Sequence, residues 1–288
     1  MKLSVTSVML PRWNLSDTFE KLAEHGYEGI ELRVRDNPDE PHADSSYWGH
    51  HLSDVSPKNI LDRAEEIRSL VRNTGVKVIA LAPKATINDR ELVDRLFAGA
   101  RAIDPNDPPM VRIGAPGHDR TRPYLPQFDE ARAGFASVVD TASEAGIKVL
   151  YELHVGSVAV SCSRAAELLR GMNPDHIGAI YDIPNMIRGS IEDSKMGMEL
   201  LGSYLAHCHA GNGIPVADKN ELTGGTDRIA FTWSFTELRR GVADVPQIIR
   251  DLQAVGYDGF VSLEEFGRGD DEEKIRAQGA YLRHLIDS

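Results

Sequence analysis

Short apolar runs rich in Val, Ile and Leu alternate along this chain with longer stretches whose apolar residues recur every three or four positions. The short runs have the character of strands buried on both faces, and the longer ones of helices with one apolar stripe. Strands are predicted over 3–8, 29–34, 77–81, 110–113, 148–153, 177–181, 205–209 and 260–264. Helices are predicted over 17–25, 57–74, 89–103, 128–145, 164–172, 192–201, 245–255 and 272–286. Several helices end in a glycine that leads into the next strand, as in EHGYEGIEL, NTGVKVIAL, EAGIKVLYE and AVGYDGFVS. Glycine there can take the left-handed conformation that ends a helix and turns the chain back. Eight strand and helix units without a break in composition predict an α/β protein, a single (β/α)8 TIM barrel over 1–288. An open doubly wound sheet would want a glycine-rich turn after its first strand, and TSVMLPRWN is not one.

Two connections exceed ordinary turns and read as loop insertions, near 36–56 and 210–244. Long loops after barrel strands build active sites and their lids. Trp48, His50 and His51, in the first of these loops, are therefore candidate substrate-side groups.

Composition narrows the partners. Hydrophobic residues make up 41% and charged residues 26% of the chain, an ordinary globule with a large core. The net charge of -12 opposes binding to phosphate backbones, so nucleic acid is not an expected partner. No segment approaches the roughly 20 apolar residues of a membrane span. The start, MKLSVTSVMLPRW, lacks the order of a signal peptide, which makes a cytoplasmic protein the expectation. Cys162 and Cys208 have no zinc-like spacing and are expected to be reduced, buried thiols.

Four residues close apolar runs: Glu152 in VLYELH, Asp182 in IGAIYDIPN, His209 in LAHCHAGN and Glu264 in FVSLEEF. The C-terminal ends of barrel strands meet at one mouth, so these groups converge there. Three carboxylates and an imidazole make a socket for a divalent cation, with Mn2+ ahead of Mg2+, Co2+ and Zn2+ because oxygen donors dominate. His209 is preferred to His207 because both share one face of their strand and His209 is nearer the rim. His154 lies on the face of Glu152 and is a candidate additional base, since imidazole titrates near neutral pH. Lys84, His118 in GAPGHD and Asn185 sit at the same predicted rim and are candidates for binding substrate. The pair Arg239 and Arg240 reads as a solvated surface.

Tyr151-Glu152-Leu153-His154, Asp182, His207-Cys208-His209 and GYDGFVSLEEF also carry a resemblance over nearly the whole chain. The chain resembles the sugar phosphate isomerase/epimerase family, the xylose isomerase-like TIM barrels. The resemblance to its ketose 3-epimerases implies that Glu152, Asp182, His209 and Glu264 bind the metal and that Glu152 and Glu264 exchange a proton with a substrate carbon. It differs from them in having Asn185 in place of a histidine, Val158 in place of a second glutamate and Pro215 in place of an arginine. The family also holds isomerases, dehydratases and lyases of inososes, keto-sugars and keto-glycosides. All begin by removing a proton next to a carbonyl. The expected function in carbohydrate metabolism is thus a metal-dependent isomerase or epimerase of a sugar or polyol, with a lyase acting by β-elimination as the alternative. A nuclease like endonuclease IV, drawing on His50, His51, His118 and His154, and a non-catalytic partner subunit are further alternatives. A homo-oligomer is expected by analogy alone.

Overall fold

A computed structural model of the chain describes residues 1–39, 44–190, 192–222 and 229–288. Eight of its strands are parallel: β1 (Lys2–Thr6), β2 (Gly29–Arg33), β3 (Lys77–Ala82), β4 (Met110–Ile113), β5 (Val149–Glu152), β6 (Ile177–Asp182), β7 (Leu205–Ala210) and, after a hairpin, β10 (Phe260–Leu263). The hairpin consists of β8 (Asn212–Leu222) and β9 (Ile229–Thr236). The parallel strands close into a barrel in the order β1-β10-β7-β6-β5-β4-β3-β2. Around it run α1 (Leu15–Glu24), α2 (Ala64–Thr74), α3 (Arg90–Ile103), α4 (Tyr124–Ala145), α5 (Cys162–Leu169), α6 (Ile183–Gly189), α7 (Ser194–Leu201), α8 (Val245–Ala254) and α9 (Asp271–Asp287). The expected (β/α)8 barrel is present. No helix among the described residues is long and apolar enough to cross a membrane.

Period-two alternation sorts the strand residues into two environments. Leu32, Ile113, Tyr151, Tyr181, Cys208 and Val261 face outward into the main core beneath the helices. The inward face carries a separate apolar cluster of Ile79, Ala80, Leu150 and Ile180, with Met110, Ala206 and Phe260 packed against it. Adding two residues to Met110, Leu150 and Ile180 gives Arg112, Glu152 and Asp182. Adding four to Phe260 gives Glu264. The barrel interior is therefore layered, with an apolar floor and a charged layer nearer the C-terminal mouth. A register shift between Ala179 and Ile180, opposite β7, brings His207 and His209 onto the inward face above Ala206.

Gly26, Gly75, Gly146 and Gly256, the four glycines expected to end helices, have φ of 73°, 76°, 65° and 77°. Close approach fixes a different glycine near the mouth. A Cβ on Gly211 would lie 2.5 Å from the Glu264 carbonyl oxygen and 2.6 Å from Pro184 Cγ, so the chain leaving β7 can pass these neighbours only without a side chain.

The structure corrects three local expectations. The α-helix predicted over 57–74 starts at Ala64, and residues 57–63 make successive turns. The short α6, entered through Pro184, was not anticipated. The 210–244 connection contains a hairpin whose side-chain alternation at Phe231, Trp233 and Phe235 has the period of a strand. Residues 223–228 of that connection, and 40–43 of the first one, lie outside the described residues.

Candidate metal centre

Glu152 ends β5, Asp182 ends β6, His209 lies on β7 and Glu264 follows β10. Each offers one donor atom, and the four donors lie within 4.8 Å of one another. His209 Nδ1 is the hub, 3.1 Å from Asp182 Oδ2, 3.5 Å from Glu152 Oε1 and 3.5 Å from Glu264 Oε2. Asp182 has two roles. Its Oδ1 accepts the Asn185 N–H at 2.8 Å and caps α6, which leaves Oδ2 aimed at the hub. Three oxygens and one nitrogen at this spacing could hold a divalent metal.

The surrounding charges divide the two glutamates. Burial raises the pKa of Glu152, but Arg112, 2.9 Å away, and His209 more than reverse this and hold it down to about 2. Burial also raises Glu264, and the charges of Asp182, Glu152 and Glu31 add to burial against the lowering by His209, so its carboxyl is held well above its ordinary value. His209 is lowered by burial and raised further by Glu31, Glu264, Asp182 and Glu152, ending well above a free imidazole. A metal-free centre thus holds protons that a cation would displace.

Sequence reasoning missed Glu31 and Arg112. Glu31 is fully buried on β2, and its Oε2 lies 2.7 Å from His209 Nε2. A carboxylate at that nitrogen favours the tautomer with the proton on Nε2, leaving the Nδ1 lone pair for a metal. The His207 Nε2 is 3.3 Å from the same oxygen, without hydrogen-bond geometry. Burial raises the pKa of Glu31, but the charge and hydrogen bond of His209, with His207 close by, take it well below the usual carboxylate range. Glu31→Gln is expected to weaken Mn2+ binding roughly 10- to 100-fold, the usual effect of losing such a supporting carboxylate. Calorimetric titration checks this, and wild-type affinity in the variant would remove Glu31 from the centre.

The centre opens into a cavity of about 400 Å³ lined by Glu152, Glu264, Arg112, His154, Asn185, Lys84, Arg35 and Trp48, with Val8, Pro184, Arg188, Phe235 and Phe266. Seven sequence candidates lie outside the ligand set: Lys84, Trp48, His154, Asn185, His118, His50 and His51. The first four reach this cavity. Trp48 packs against Phe266 with ring centroids 4.7 Å apart and the rings tilted by 49°, and Tyr47 and Phe235 each lie 5.3 Å from the same ring. Loop, hairpin and strand end thus combine into an aromatic wall, and Phe235 was not foreseen. His154 Nδ1 lies 2.8 Å from the Val155 carbonyl oxygen. His118 sits outside the cavity wall, edge-on to Tyr124 at 5.7 Å. Val158 is buried in the main core, and Pro215 lies on the hairpin.

His51 is also outside that wall. It is fully buried, with Nε2 3.2 Å from the Tyr47 carbonyl oxygen and its own N–H donating to Asn37. Its place is in the loop's internal bonding. Burial, then Arg33, lowers its pKa to about 3. The unfolded chain therefore binds more protons between about pH 6.5 and 3, and stability falls as pH drops through that window. The loss attributable to His51 is expected to approach about 1.4 kcal/mol per pH unit. Urea midpoints at pH 7 and pH 5 test this against His51→Gln, and equal losses in both proteins would contradict it.

The model of the family described as xylose isomerase-like TIM barrel matches residues 19–285. Solved structures share the fold at low identity. The chain is similar to the 3-keto-D-glucoside 4-epimerase of E. coli, with 16% identity, TM-score 0.69 and 99% of each chain covered. It is similar to the probable 3-DHS dehydratase AsbF, involved in petrobactin synthesis, of Bacillus anthracis, with 16% identity, TM-score 0.72 and 98% of this chain and 99% of that one covered. It is also similar to the IOLI protein, solved with a zinc atom bound, with 18% identity, TM-score 0.71 and 100% and 98% covered. With the closed barrel and the match over almost its full length, this chain belongs to the xylose isomerase-like TIM barrel family.

Proposed function

We propose that this protein is a divalent-metal-dependent isomerase or epimerase that removes and returns a proton next to the carbonyl of a sugar or keto-sugar. The convergence of Glu152, Asp182, His209 and Glu264 within 4.8 Å carries this reading. A cation held there would polarise the substrate carbonyl and stabilise negative charge on its oxygen. Glu152 and Glu264 approach from β5 and from the end of β10, staves separated by β6 and β7. A carbon lying between them presents opposite faces to two carboxylates, the arrangement that epimerisation requires. Arg112 orients Glu152, and the aromatic wall of Trp48, Phe235 and Phe266 gives a sugar ring an apolar surface to rest on. Mn2+ is the cation the donor set favours.

A second reading has support in Asn185, Val158 and Pro215, which stand where ketose 3-epimerases have a histidine, a glutamate and an arginine. The same first proton transfer followed by loss of a β-substituent would make the protein a lyase or dehydratase. Incubating the metal-loaded protein with keto-sugars in D2O tests both. Deuterium entering recovered substrate or its isomer supports the first reading, and an eliminated product supports the second. With metal bound and no exchange or elimination across neutral and anionic keto-sugars, neither stands.

A further inference from the structure

Arg35 lies just beyond the end of β2 and has 9% of its surface exposed. Its N–H donates to the Val55 carbonyl, and its Nε donates to the Ala82 carbonyl at 3.1 Å. These bonds fix the backbone and the inner edge of the guanidinium. Among the described residues its two terminal nitrogens have no acceptor and no ion pair. A buried charge without a counterion is costly. Burial, then the nearby Arg112 and Arg33, lowers the pKa of Arg35 to about 10.

The free end of Arg35 faces open space. Arg35, Trp48 and Lys84 are walls shared by the 400 Å³ cavity that holds the metal ligands and by an adjoining cavity of about 510 Å³. Lys84 follows β3, is exposed and has no ion pair among the described residues. The adjoining cavity also collects Arg33 and Arg95, against Glu91. Its other two charges, Lys58 and Asp36, pair with each other at 3.0 Å. In a chain of net charge -12, cations therefore gather at the rim above β2 and β3, across the barrel from β6 and β7. Such a cleft concentrates anions.

We propose that Arg35 and Lys84 form an anion subsite, and that the substrate is a keto-sugar bearing a carboxylate or phosphate group. The placement of its carbonyl end at the metal centre rests on the reading given under Proposed function, whereas the subsite does not. The planar fork of Arg35 suits two oxygens of one anionic group, with Lys84 adding a mobile point charge.

The test titrates metal-free protein with malonate and, separately, with inorganic phosphate, and titrates the same preparation with Mn2+. At least one anion is expected to saturate with a millimolar Kd, and the tighter probe identifies the class of group. Binding is expected to weaken at least tenfold in Arg35→Gln and in Lys84→Met. Lys84 makes no hydrogen bond among the described residues, so Lys84→Met carries the test if Arg35→Gln fails to fold. Failure of both anions to saturate, or unchanged binding in Lys84→Met, overturns the subsite. Mn2+ binding without anion binding removes the subsite and leaves the enzyme reading; anion binding without Mn2+ binding does the reverse. With turnover in hand, anionic keto-sugars should exceed neutral ones at least tenfold in kcat/KM, and Lys84→Met should erase the preference through KM.

Discussion

Glu264→Gln is expected to slow hydrogen exchange at the substrate carbon by about 10³-fold, within the usual range for removing a positioned acid or base. Gln keeps the shape of Glu and one oxygen near His209 Nδ1, but it cannot take a proton. Glu152→Gln is expected to cost a similar factor and additionally to remove the negative charge that faces Arg112 at 2.9 Å. If the two carboxylates act as one device, the double variant should be no slower than the worse single variant by more than a few-fold. Deuterium incorporation followed by NMR gives the rates, and thermal unfolding confirms that each variant is folded. A multiplicative double variant would show two independent roles. Wild-type exchange in either single variant would remove that glutamate from proton transfer.

Arg112→Met is expected to destabilise the metal-free protein by about 3–5 kcal/mol, the cost of stripping one partner from a buried pair. Arg112 and Glu152 expose only 11% and 13% of their side chains, so solvent supplies little compensation. The sign of the pH dependence follows from Glu152. Its folded pKa of about 2 lies below the ordinary 4.5, so its stabilising contribution is present above pH 4.5 and lost as pH falls through about 2. Without Arg112 that contribution goes, so the gap between variant and wild type should be widest near neutrality and shrink below pH 4.5. Mn2+ should also narrow the gap, because a cation takes over neutralisation of Glu152. Denaturant unfolding at pH 7 and pH 4, with and without Mn2+, checks both trends. A gap independent of pH and metal would show that Arg112 acts through packing alone.

The legibility of this chain follows the range of each signal. Glu152, Asp182 and Glu264 each interrupt an apolar run at its end, a local pattern visible without knowing the neighbours. Glu31 carries no such mark, because an acid inside GIELR resembles the polar side of an alternating strand. Its meaning comes from His209, 178 positions away, across a contact that only barrel closure creates. Arg112 inside MVRI and Arg35 after β2 were silent for the same reason. His51 shows the converse. Its loop advertised chemistry, yet the imidazole is turned inward to the carbonyl of Tyr47. The hairpin was legible in principle, since Phe231, Trp233 and Phe235 alternate. The long connection drew attention as an insertion and hid its own periodicity.

The apolar floor of Ile79, Leu150 and Ile180 bears on the fate of the hydrogen that the proposed reaction would move. These side chains carry no titratable proton, and the buried chain of His209, Glu31 and His207 above them has no surface in solvent, so in the proposed reaction a hydrogen lifted from carbon would reach water through the mouth that the substrate itself covers. Wash-out to solvent then competes with internal return. A substrate labelled with tritium at the reacting carbon should pass part of its label to product in a single turnover, and the retained fraction should rise as the bound ligand fits the mouth more tightly.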